Sequence, residues 1–251
     1  MTRSRLDATN CKILWDEGVE APEIRTLTGR QNADVVIVGA GFSGLWTAHW
    51  LTEFSPDTKV AVVEAERVGH GASGRNGGWL SALLPVSLTE LSRTLGTERT
   101  VDLQSIMFSA VGEVVAFCRR HHVEADVSHA GSISLIRNRA QEIRAHSEVE
   151  DYRRFGFDSH VRFLDRTRTS EHVLVDHESL YRPDCAAVHP RRLMEGLATI
   201  VRSRGVDVYE GSRVESLRPG VVESRRGTIV APAVIDAREA YGSRTSRRSL
   251  V

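Results

Sequence analysis

A short apolar run that leads directly into a glycine-rich turn constrains the fold of this chain more than any other feature. Val35–Val38 is a run of apolar, β-branched residues, and the turn Gly39–Gly44 reads Gly-Ala-Gly-Phe-Ser-Gly. Such a run is typical of a strand buried on both faces of a parallel sheet. Apolar residues at helical spacing follow from Leu45 to Leu51, and Val60–Val63 is a second apolar run. The order strand, tight turn, helix, strand predicts the start of a βαβ unit with a right-handed crossover.

The glycines of this turn stand where a dinucleotide-binding turn requires them. Gly39 permits the tight turn out of the strand, Gly41 lets the backbone approach a pyrophosphate, and Gly44 lets the helix pack against the strand. The amino end of the helix, with Phe42 and Ser43, then offers unpaired N–H groups and a partial positive charge to the phosphates. Glycines also serve ordinary turns, so the motif gains its weight from the strand and helix on either side.

An acidic residue ends the second predicted strand. Glu64 lies 20 residues beyond Gly44 and is followed by Ala65. A carboxylate there can accept hydrogen bonds from the ribose hydroxyls of an adenosine and would repel a 2′-phosphate, which disfavours NADP. The alternative is a solvated glutamate at a strand end. The motif and Glu64 together predict dinucleotide binding, with Glu64 and Ala65 among the cofactor-binding residues, but they do not distinguish FAD from NAD.

A second glycine-rich segment carries a resemblance to a known family. Gly69–Gly78 reads Gly-His-Gly-Ala-Ser-Gly-Arg-Asn-Gly-Gly. Together with the first motif, this loop makes Asp34–Leu80 resemble the D-amino-acid oxidase (DAO) family of flavoproteins, and within it the gamma-glutamylputrescine oxidase-like branch. The resemblance extends from about Trp15 to Tyr241 and is most specific over Asp34–Leu80. It implies FAD as the cofactor.

The resemblance also implies where the residues of this loop lie relative to FAD. A glycine-rich loop can bring backbone N–H groups close to a phosphate or a ring, and Arg75 offers a permanent cation for an anionic group. The alternative is a flexible surface loop. His70 is interpreted as a loop histidine and not as a covalent attachment point for the flavin. The resemblance implies that Gly71, Ala72 and Ser73 lie beside the pyrophosphate. It implies that Arg75, Asn76 and Gly77 lie near the flavin ring.

Later segments of the chain resemble the same family. Val188–Leu193 resembles the start of a family helix that opens with a His-Pro pair. Gly205–Val214 resembles a strand that returns to the sheet, and the backbone of Val214 is implied to meet the adenine. A further strand, which ends at Ala237, is implied to reach the cofactor, and Arg238 replaces the threonine that the family usually has next.

Periodicity predicts the remaining elements. An amphipathic helix is expected to end near His121, Ser132–Ile136 alternates as a strand, and Arg139–Phe155 is expected to form a charged surface helix. Three short strands between Val214 and Val230 are predicted to form an antiparallel meander, with turns at Pro-Gly and Arg-Gly pairs.

Composition excludes several classes of function. The 33 basic and 33 acidic residues balance, so the chain lacks the electrostatic footprint of a nucleic-acid or membrane-surface binder. Cys11, Cys118 and Cys185 stand far apart without metal-ligand spacing, which indicates reduced thiols and no metal site.

The amino terminus lacks a signal-peptide pattern, and no run approaches the ~20 apolar residues of a membrane span. A soluble, cytoplasmic protein is therefore expected, with its oligomeric state left open.

The predicted fold class is α/β: an FAD-binding Rossmann-type parallel sheet of the glutathione-reductase-like kind with a β-meander, plus an incomplete α+β substrate domain. The arginine- and serine-rich tail cannot bury enough apolar area to offset its ordering. Because family members are longer, this tail is expected to be a truncated or out-of-frame end. Five segments are predicted: an amino-terminal arm (1–33), FAD-binding segment 1 (34–84), a helical and substrate-domain segment (85–182), FAD-binding segment 2 (183–237) and a disordered tail (238–251).

The activity that the resemblance implies is FAD-dependent oxidation of a primary or secondary amine, with a gamma-glutamylputrescine-like amine as one candidate substrate. The family implies hydride transfer to flavin N5 and reoxidation by O2, chemistry that belongs to the cofactor. No catalytic residue is predicted. Two alternatives stay open: a catalytically inactive, truncated FAD-binding fragment, and an NAD-dependent dehydrogenase, which would not explain the second glycine-rich segment.

Overall fold

The computed structural model describes residues 13–19 and 23–244 of the chain. It contains the helices α1 (Phe42–Phe54), α2 (Leu88–Leu95), α3 (Thr97–Arg120), α4 (Arg139–Arg154), α5 (Arg166–Ser170) and α6 (Pro190–Ser203). Its strands are β1 (Gly29–Asn32), β2 (Val35–Val38), β3 (Val60–Val63), β4 (Trp79–Ser81), β5 (Ser132–Ile136), β6 (Arg162–Leu164), β7 (Glu178–Arg182), β8 (Cys185–Ala187), β9 (Asp207–Tyr209), β10 (Val214–Arg218), β11 (Val221–Ser224), β12 (Gly227–Val230) and β13 (Ala233–Asp236). The described residues divide into two compact units, the first within Met1–Gly77, Val123–Ala125 and His189–Val251, and the second Gly78–His122 with Asp126–Val188.

A four-stranded parallel sheet with the order β13-β2-β3-β9 forms the centre of the first unit. Val38 of β2 lies opposite Val63 of β3, and β13 pairs with the other side of β2. All four residues of β3 are buried, and Val36 and Ile37 of β2 are fully buried. The two apolar runs are therefore adjacent central strands, as predicted. Because the strands are parallel, the carboxyl ends of β2, β3 and β13 meet at one edge of the sheet.

Helices α1 and α6 of the first unit pack against each other, and α1 also packs on β2 and β3. α1 buries Leu45 and Ala48, residues that the helical spacing predicted to face inward. α6 begins at Pro190, where the N–H that proline lacks would have no helical partner. His189 caps this helix, since its Nδ1 accepts a hydrogen bond from the N–H of Arg192 at 3.2 Å.

The predicted meander is present, and it holds a strand that the sequence pattern did not indicate. β10, β11 and β12 are antiparallel neighbours, and β1 adds to β12 in parallel, which gives the order β1-β12-β11-β10. No strand was predicted within the amino-terminal arm (1–33), yet β1 lies at its end. The residues of β1, Gly-Arg-Gln-Asn, are polar, and the strand joins the sheet through its backbone. The neighbouring Leu27 is fully buried with Val222 and Ile229.

The second unit is built from short sheets and longer helices. Its three-stranded sheet has the antiparallel order β5-β7-β6, and β4 pairs with β8. The predicted strand Ser132–Ile136 is confirmed as β5, and the predicted surface helix is α4. Phe155, Phe157 and Leu180 belong to its buried apolar cluster, to which Leu88 of α2 also contributes. Strands β6 and β8, with three residues each, and the five-residue helix α5 are too short for periodicity to reveal them. Strand β7 is as long as β5 but has no alternation of apolar and polar residues.

Helix α3 is the one helix of the described residues that is long and apolar enough to cross a membrane by length and composition alone. Of its most apolar stretch of 18 residues, 22% is buried. The core helix of a soluble protein passes the same test, so this is weak evidence. A search of the sequence for uninterrupted apolar runs does not find this stretch of α3, because the charged residues Asp102 and Glu113 interrupt it.

The tail differs in part from the disordered segment expected from residue 238 onward. Glu239–Arg244 forms a short 3-10 helix, and residues 245–251 lie outside the described part of the chain. Two contacts hold the start of this helix. The guanidinium of Arg238 pairs with the carboxylate of Asp236 at 2.7 Å, and the N–H of Tyr241 donates to the carbonyl of Arg238 at 3.0 Å.

Candidate functional site

The glycine-rich turn lies where β2, β3 and β13 end. Gly39 has φ of +110°, a conformation that L side chains rarely adopt, and its N–H donates to the carbonyl of Val63 at 2.8 Å. A Cβ at this position would come within 2.7 Å of the carbonyl oxygen of Ala237. A Cβ at Gly44 would overlap the carbonyl of Gly39. Both positions therefore require glycine, for the turn and for the close packing of α1 that the sequence predicted.

The second glycine-rich segment contacts the first at the amino end of α1. Ala72–Gly74 forms a short 3-10 turn, and the Oγ of Ser73 accepts a hydrogen bond from the N–H of Phe42 at 2.9 Å. A Cβ at Gly41 would lie 3.0 Å from the same oxygen. Residues 31 positions apart in the sequence thus meet at the start of one helix, where the N–H groups of the first turn have no helical partner.

Glu64 is fixed beside this turn by backbone N–H groups. Its Oε2 accepts from Ala40 at 2.8 Å and its Oε1 accepts from Glu66 at 3.0 Å. An ionised carboxylate has about four acceptor positions, so two remain for the hydroxyls of a ligand. The carbonyl of Glu64 accepts from the N–H of Ser212 at 2.8 Å, which ties the end of β3 to the segment after β9. Ala65 follows immediately in the chain.

The predicted flavin-facing residues lie on a loop that makes many of its contacts internally. The Nε of Arg75 donates to the carbonyl of His70 at 2.6 Å, and its Nη2 lies 3.4 Å from the Nε2 of the same histidine. The Nδ2 of Asn76 donates to the carbonyl of Ser73 at 2.7 Å. A Cβ at Gly77 would meet no atom within 4 Å, so the end of the loop has open space beside it. The guanidinium of Arg75 is exposed but rests on His70.

Gly71, Val214 and Ala237 complete the set of residues predicted to bind the cofactor. A Cβ at Gly71 would lie 3.4 Å from the ring of Tyr241, so this ring lies beside the loop at Gly71. Val214 is buried at the start of β10, next to an irregularity in its pairing with β11. The N–H of Ala237 donates to the carbonyl of Val38 at 2.8 Å, so β13 continues its pairing with β2 to the turn.

Sequence reasoning missed the support that Trp15 gives to this loop. The Nε1–H of Trp15 donates to the carbonyl of Asn76 at 2.7 Å. The indole ring also meets the ring of His189 edge-on, with ring centroids 5.0 Å apart. The amino-terminal arm thus connects the loop to the cap of α6. A single tryptophan in a polar segment carries no spacing signal that could have revealed this contact.

A buried group of charges, also missed, holds the residue that precedes the loop. The N–H of Val68 donates to the Oε1 of Glu210 at 2.7 Å, and the carbonyl of Val68 accepts from Arg191. Glu210 and Arg191 are 2% and 3% exposed, respectively. Arg202 pairs with Glu210 at 2.7 Å, and Glu195 pairs with Arg191 at 2.6 Å. These ion pairs fix the path of the chain from β3 into the loop.

Burial also changes the acidity of one member of this group. Removal from water raises the pKa of the Glu195 carboxyl above its ordinary value, and the positive charge of Arg191 opposes that shift. Charged side chains this deep are tolerated because each has a partner of opposite sign. The pattern of charges along α6 could not indicate the arrangement, since Glu210 lies beyond that helix in the sequence.

The last residues of the site follow β13. The guanidinium of Arg238 makes two hydrogen bonds to the carboxylate of Asp236, and this partner holds the pKa of Asp236 below its ordinary value. Glu239 comes next with φ of +50°, and the Oγ of Ser43 donates to its Oε1 at 3.4 Å. A carboxylate therefore lies beside the second residue of α1.

The residues present fit the diphosphate and ribose of a dinucleotide. Glycine at position 41 leaves the backbone of the turn open, because a Cβ there would press on Ser73. The carboxylate of Glu64 keeps acceptor positions for hydroxyl groups. Among residues 13–19 and 23–244 no three His, Cys, Asp or Glu side chains are grouped so that they could hold a metal ion.

Comparison with known proteins gives a family for the part of the chain that contains both glycine-rich segments. The family model described as "DAO: FAD dependent oxidoreductase" matches residues 34–250. The chain is 32% identical over 222 residues to the gamma-glutamylputrescine oxidoreductase of Escherichia coli (strain K12), covering 86% of the chain and 51% of that protein. It is 30% identical over 236 residues to the probable oxidoreductase OrdL of Rhizobium meliloti (strain 1021), covering 90% and 54%. The chain spans about half the length of these curated relatives.

Solved structures share the fold. The glycine oxidase of Geobacillus kaustophilus matches with a TM-score of 0.66 and 23% identity over 86% of this chain and 57% of its own. The L-proline dehydrogenase of P.horikoshii matches with a TM-score of 0.67 and 16% identity over 85% and 55%. At these identities the likeness supports the fold alone, and it agrees with the predicted α/β class.

Proposed function

The chain belongs to the DAO family of FAD-dependent oxidoreductases, and on that premise we propose that it forms the cofactor-binding part of a flavoenzyme that oxidises a primary or secondary amine. The contact between Ser73 and the amino end of α1 is the observation that carries the proposal, because it joins the two glycine-rich segments into one site. FAD is the family's cofactor, so the alternative of an NAD-dependent dehydrogenase has no support.

When bound, FAD supplies the redox chemistry, in which a hydride leaves the α-carbon of the amine and the electrons pass on to O2 to give hydrogen peroxide. The protein's own residues bind and orient. The turn Gly39–Gly44 brings backbone N–H groups to the diphosphate, and Glu64 accepts hydrogen bonds from the ribose hydroxyls. Arg75, on the exposed loop, offers its positive charge near the flavin ring.

The substrate that we propose is an amine of the gamma-glutamylputrescine type. The 32% identity to the gamma-glutamylputrescine oxidoreductase of Escherichia coli (strain K12) supports it, and the balanced charge of the chain gives no contrary indication. O2 as the electron acceptor, a cytoplasmic location and the absence of nucleic-acid and membrane partners are part of the same proposal. The balanced charge of the chain supports the absence of nucleic-acid partners and of membrane-surface partners.

Anaerobic mixing of the FAD-loaded protein with amines tests this function. Gamma-glutamylputrescine should bleach the visible absorption bands of the bound flavin, and admitting air should restore them with release of an equal amount of hydrogen peroxide. Putrescine, glycine and L-proline serve as comparison substrates and should react more slowly. Bound flavin that stays oxidised with every amine would contradict the oxidase function and would favour a fragment that binds FAD without turnover.

A further inference from the structure

Glu239 brings a negative charge to the place where the diphosphate is proposed to bind. Its Oε1 accepts a hydrogen bond from the Oγ of Ser43, the second residue of α1, at 3.4 Å. The N–H of the first residue, Phe42, is already bound to Ser73. Unpaired N–H groups and the helix dipole make this end of α1 favourable for an anion. The carboxylate of Glu239 therefore lies beside the region that attracts the phosphates.

The backbone holds Glu239 in this position. Ala237, two residues before Glu239, lies against the glycine-rich turn. Its carbonyl oxygen is 2.7 Å from the position that a Cβ on Gly39 would occupy. Glu239 itself has φ of +50°, in the left-handed region that few residues other than glycine adopt. The hydrogen bond from Tyr241 to the carbonyl of Arg238 closes the chain around it. The approach of the carboxylate to α1 is thus part of how β13 ends.

A nearby cation does not cancel this charge. The guanidinium of Arg238, the adjacent residue, makes two hydrogen bonds to the carboxylate of Asp236. Within the described part of the chain, no ion pair joins Glu239 to an arginine, a lysine or a histidine. Glu239 is exposed, so solvent and salt screen its field in part.

We propose that Glu239 limits the affinity of this site for diphosphate ligands, because its carboxylate repels the two negative charges of the FAD pyrophosphate at the amino end of α1. The inference rests on the proposed function only in placing that pyrophosphate beside Gly41 and Phe42. Like charges that approach within a few ångströms repel, and the repulsion weakens as the salt concentration rises. Binding of FAD then requires the carboxylate to turn away from Ser43 or to tolerate the phosphates beside it.

Variants that remove or reverse the charge at position 239 test the proposal through ligand affinity, without any measurement of catalytic activity. The dissociation constants of FAD, ADP and adenosine are measured by titration calorimetry for the unaltered chain, Glu239→Gln and Glu239→Lys. FAD and ADP should bind about three- to tenfold more tightly to Glu239→Gln and more tightly again to Glu239→Lys. Adenosine, which has no phosphate, should bind all three equally. The differences should shrink at high ionic strength.

Asp57→Asn is the matched control. It removes one exposed carboxylate just beyond the opposite end of α1, a helix of 13 residues that is about 20 Å long. Its affinity for FAD should equal that of the unaltered chain, and thermal unfolding should show that all variants fold. Equal affinities for FAD across the series would overturn the role of Glu239 while leaving FAD binding intact. A series in which no protein binds FAD or ADP would overturn both this inference and the proposed function.

Discussion

Val68 has both polar groups of its backbone bound to charged side chains that come from other parts of the sequence. Glu210 accepts its N–H, and Arg191 donates to its carbonyl. The following residue, Gly69, donates its N–H to the carbonyl of Ala40 at 3.0 Å. The start of the second glycine-rich segment is therefore fixed against the first by individual hydrogen bonds, and the position of Ser73 over α1 follows from them.

Removing the charge of Glu64 should weaken cofactor binding more than removing the charge of a neighbouring carboxylate. Glu64→Gln replaces one oxygen with an NH2 group, which faces the N–H of Ala40 or Glu66 and cannot accept from it. The substitution also weakens the proposed hydrogen bonds from the ribose hydroxyls, and since a hydrogen bond to a charged group contributes about 1.5–3 kcal/mol, the affinity for FAD should fall about ten- to hundredfold in a calorimetric titration. Glu66→Gln, which alters an exposed pair with Arg213, is the control and should change it less than about twofold. Equal losses in the two variants would contradict the assigned role of Glu64.

Trp15 is expected to steady the loop that precedes β4. Trp15→Phe keeps the ring near His189 but removes the N–H that binds the carbonyl of Asn76. The loss of one hydrogen bond corresponds to about 1 kcal/mol, so amides of residues 70–78 should exchange with solvent about fivefold faster. Hydrogen exchange followed by mass spectrometry measures this. Trp50→Phe on α1 makes the same change away from the loop, and exchange that rises equally in both variants would count against the contact.

At the scale of elements, two helical glycines differ in what surrounds them. Gly44 on α1 faces the carbonyl of Gly39, whereas Gly112 on α3 has no atom within 4 Å of an added Cβ. Gly44→Ala should lower the free energy of unfolding by about 2–3 kcal/mol through overpacking. Gly112→Ala should raise it by up to about 1 kcal/mol, because alanine favours helix. Denaturant unfolding measures both, and a Gly44→Ala protein as stable as the unaltered chain would show that α1 does not pack this closely on the turn.

The end of β13 should contribute stability that depends on pH. The pKa of Asp236 is lowered by its hydrogen bonds to Arg238, so the pair stabilises the fold above the unfolded pKa near 4 and loses this effect as pH falls through the lower folded value. Arg238→Met should therefore lower the free energy of unfolding by about 0.5–1 kcal/mol at neutral pH, and the difference should shrink in acid and vanish once Asp236 is protonated in the folded chain.

The measurement is a set of denaturant unfolding curves between neutral and acid pH. Arg218→Met, which breaks an exposed pair with Glu223, is the matched variant and should have little effect at any pH. A deficit in Arg238→Met that persists undiminished in acid would assign it to lost packing of the arginine stem and not to the charge pair.

For the whole molecule, the sequence predicted elements whose signal is local and missed contacts that join distant segments. The strands β2 and β3, the turn Gly39–Gly44 and the meander follow from short apolar runs and turn residues. The hydrogen bond from Phe42 to Ser73 spans 31 residues. The glycine-rich turn predicted Phe42 near the pyrophosphate and the family resemblance implied Ser73 there, but neither indicated that the two residues are in contact. The contacts of Trp15 and Val68 depend on tertiary folding alone, so no periodicity encodes them. β1 was missed because a polar strand that pairs through its backbone has no alternating pattern.

Visible spectroscopy of the purified chain during titration with FAD is the most direct test that the two glycine-rich segments form one flavin site. Flavin absorption should shift and saturate at one FAD for each chain, and Ser73→Ala, which removes the acceptor of the Phe42 N–H, should weaken binding about fivefold or more. Ser109→Ala, whose hydroxyl bonds only within α3, should leave it unchanged. A chain that folds but shows no saturable change with FAD would contradict the site described here.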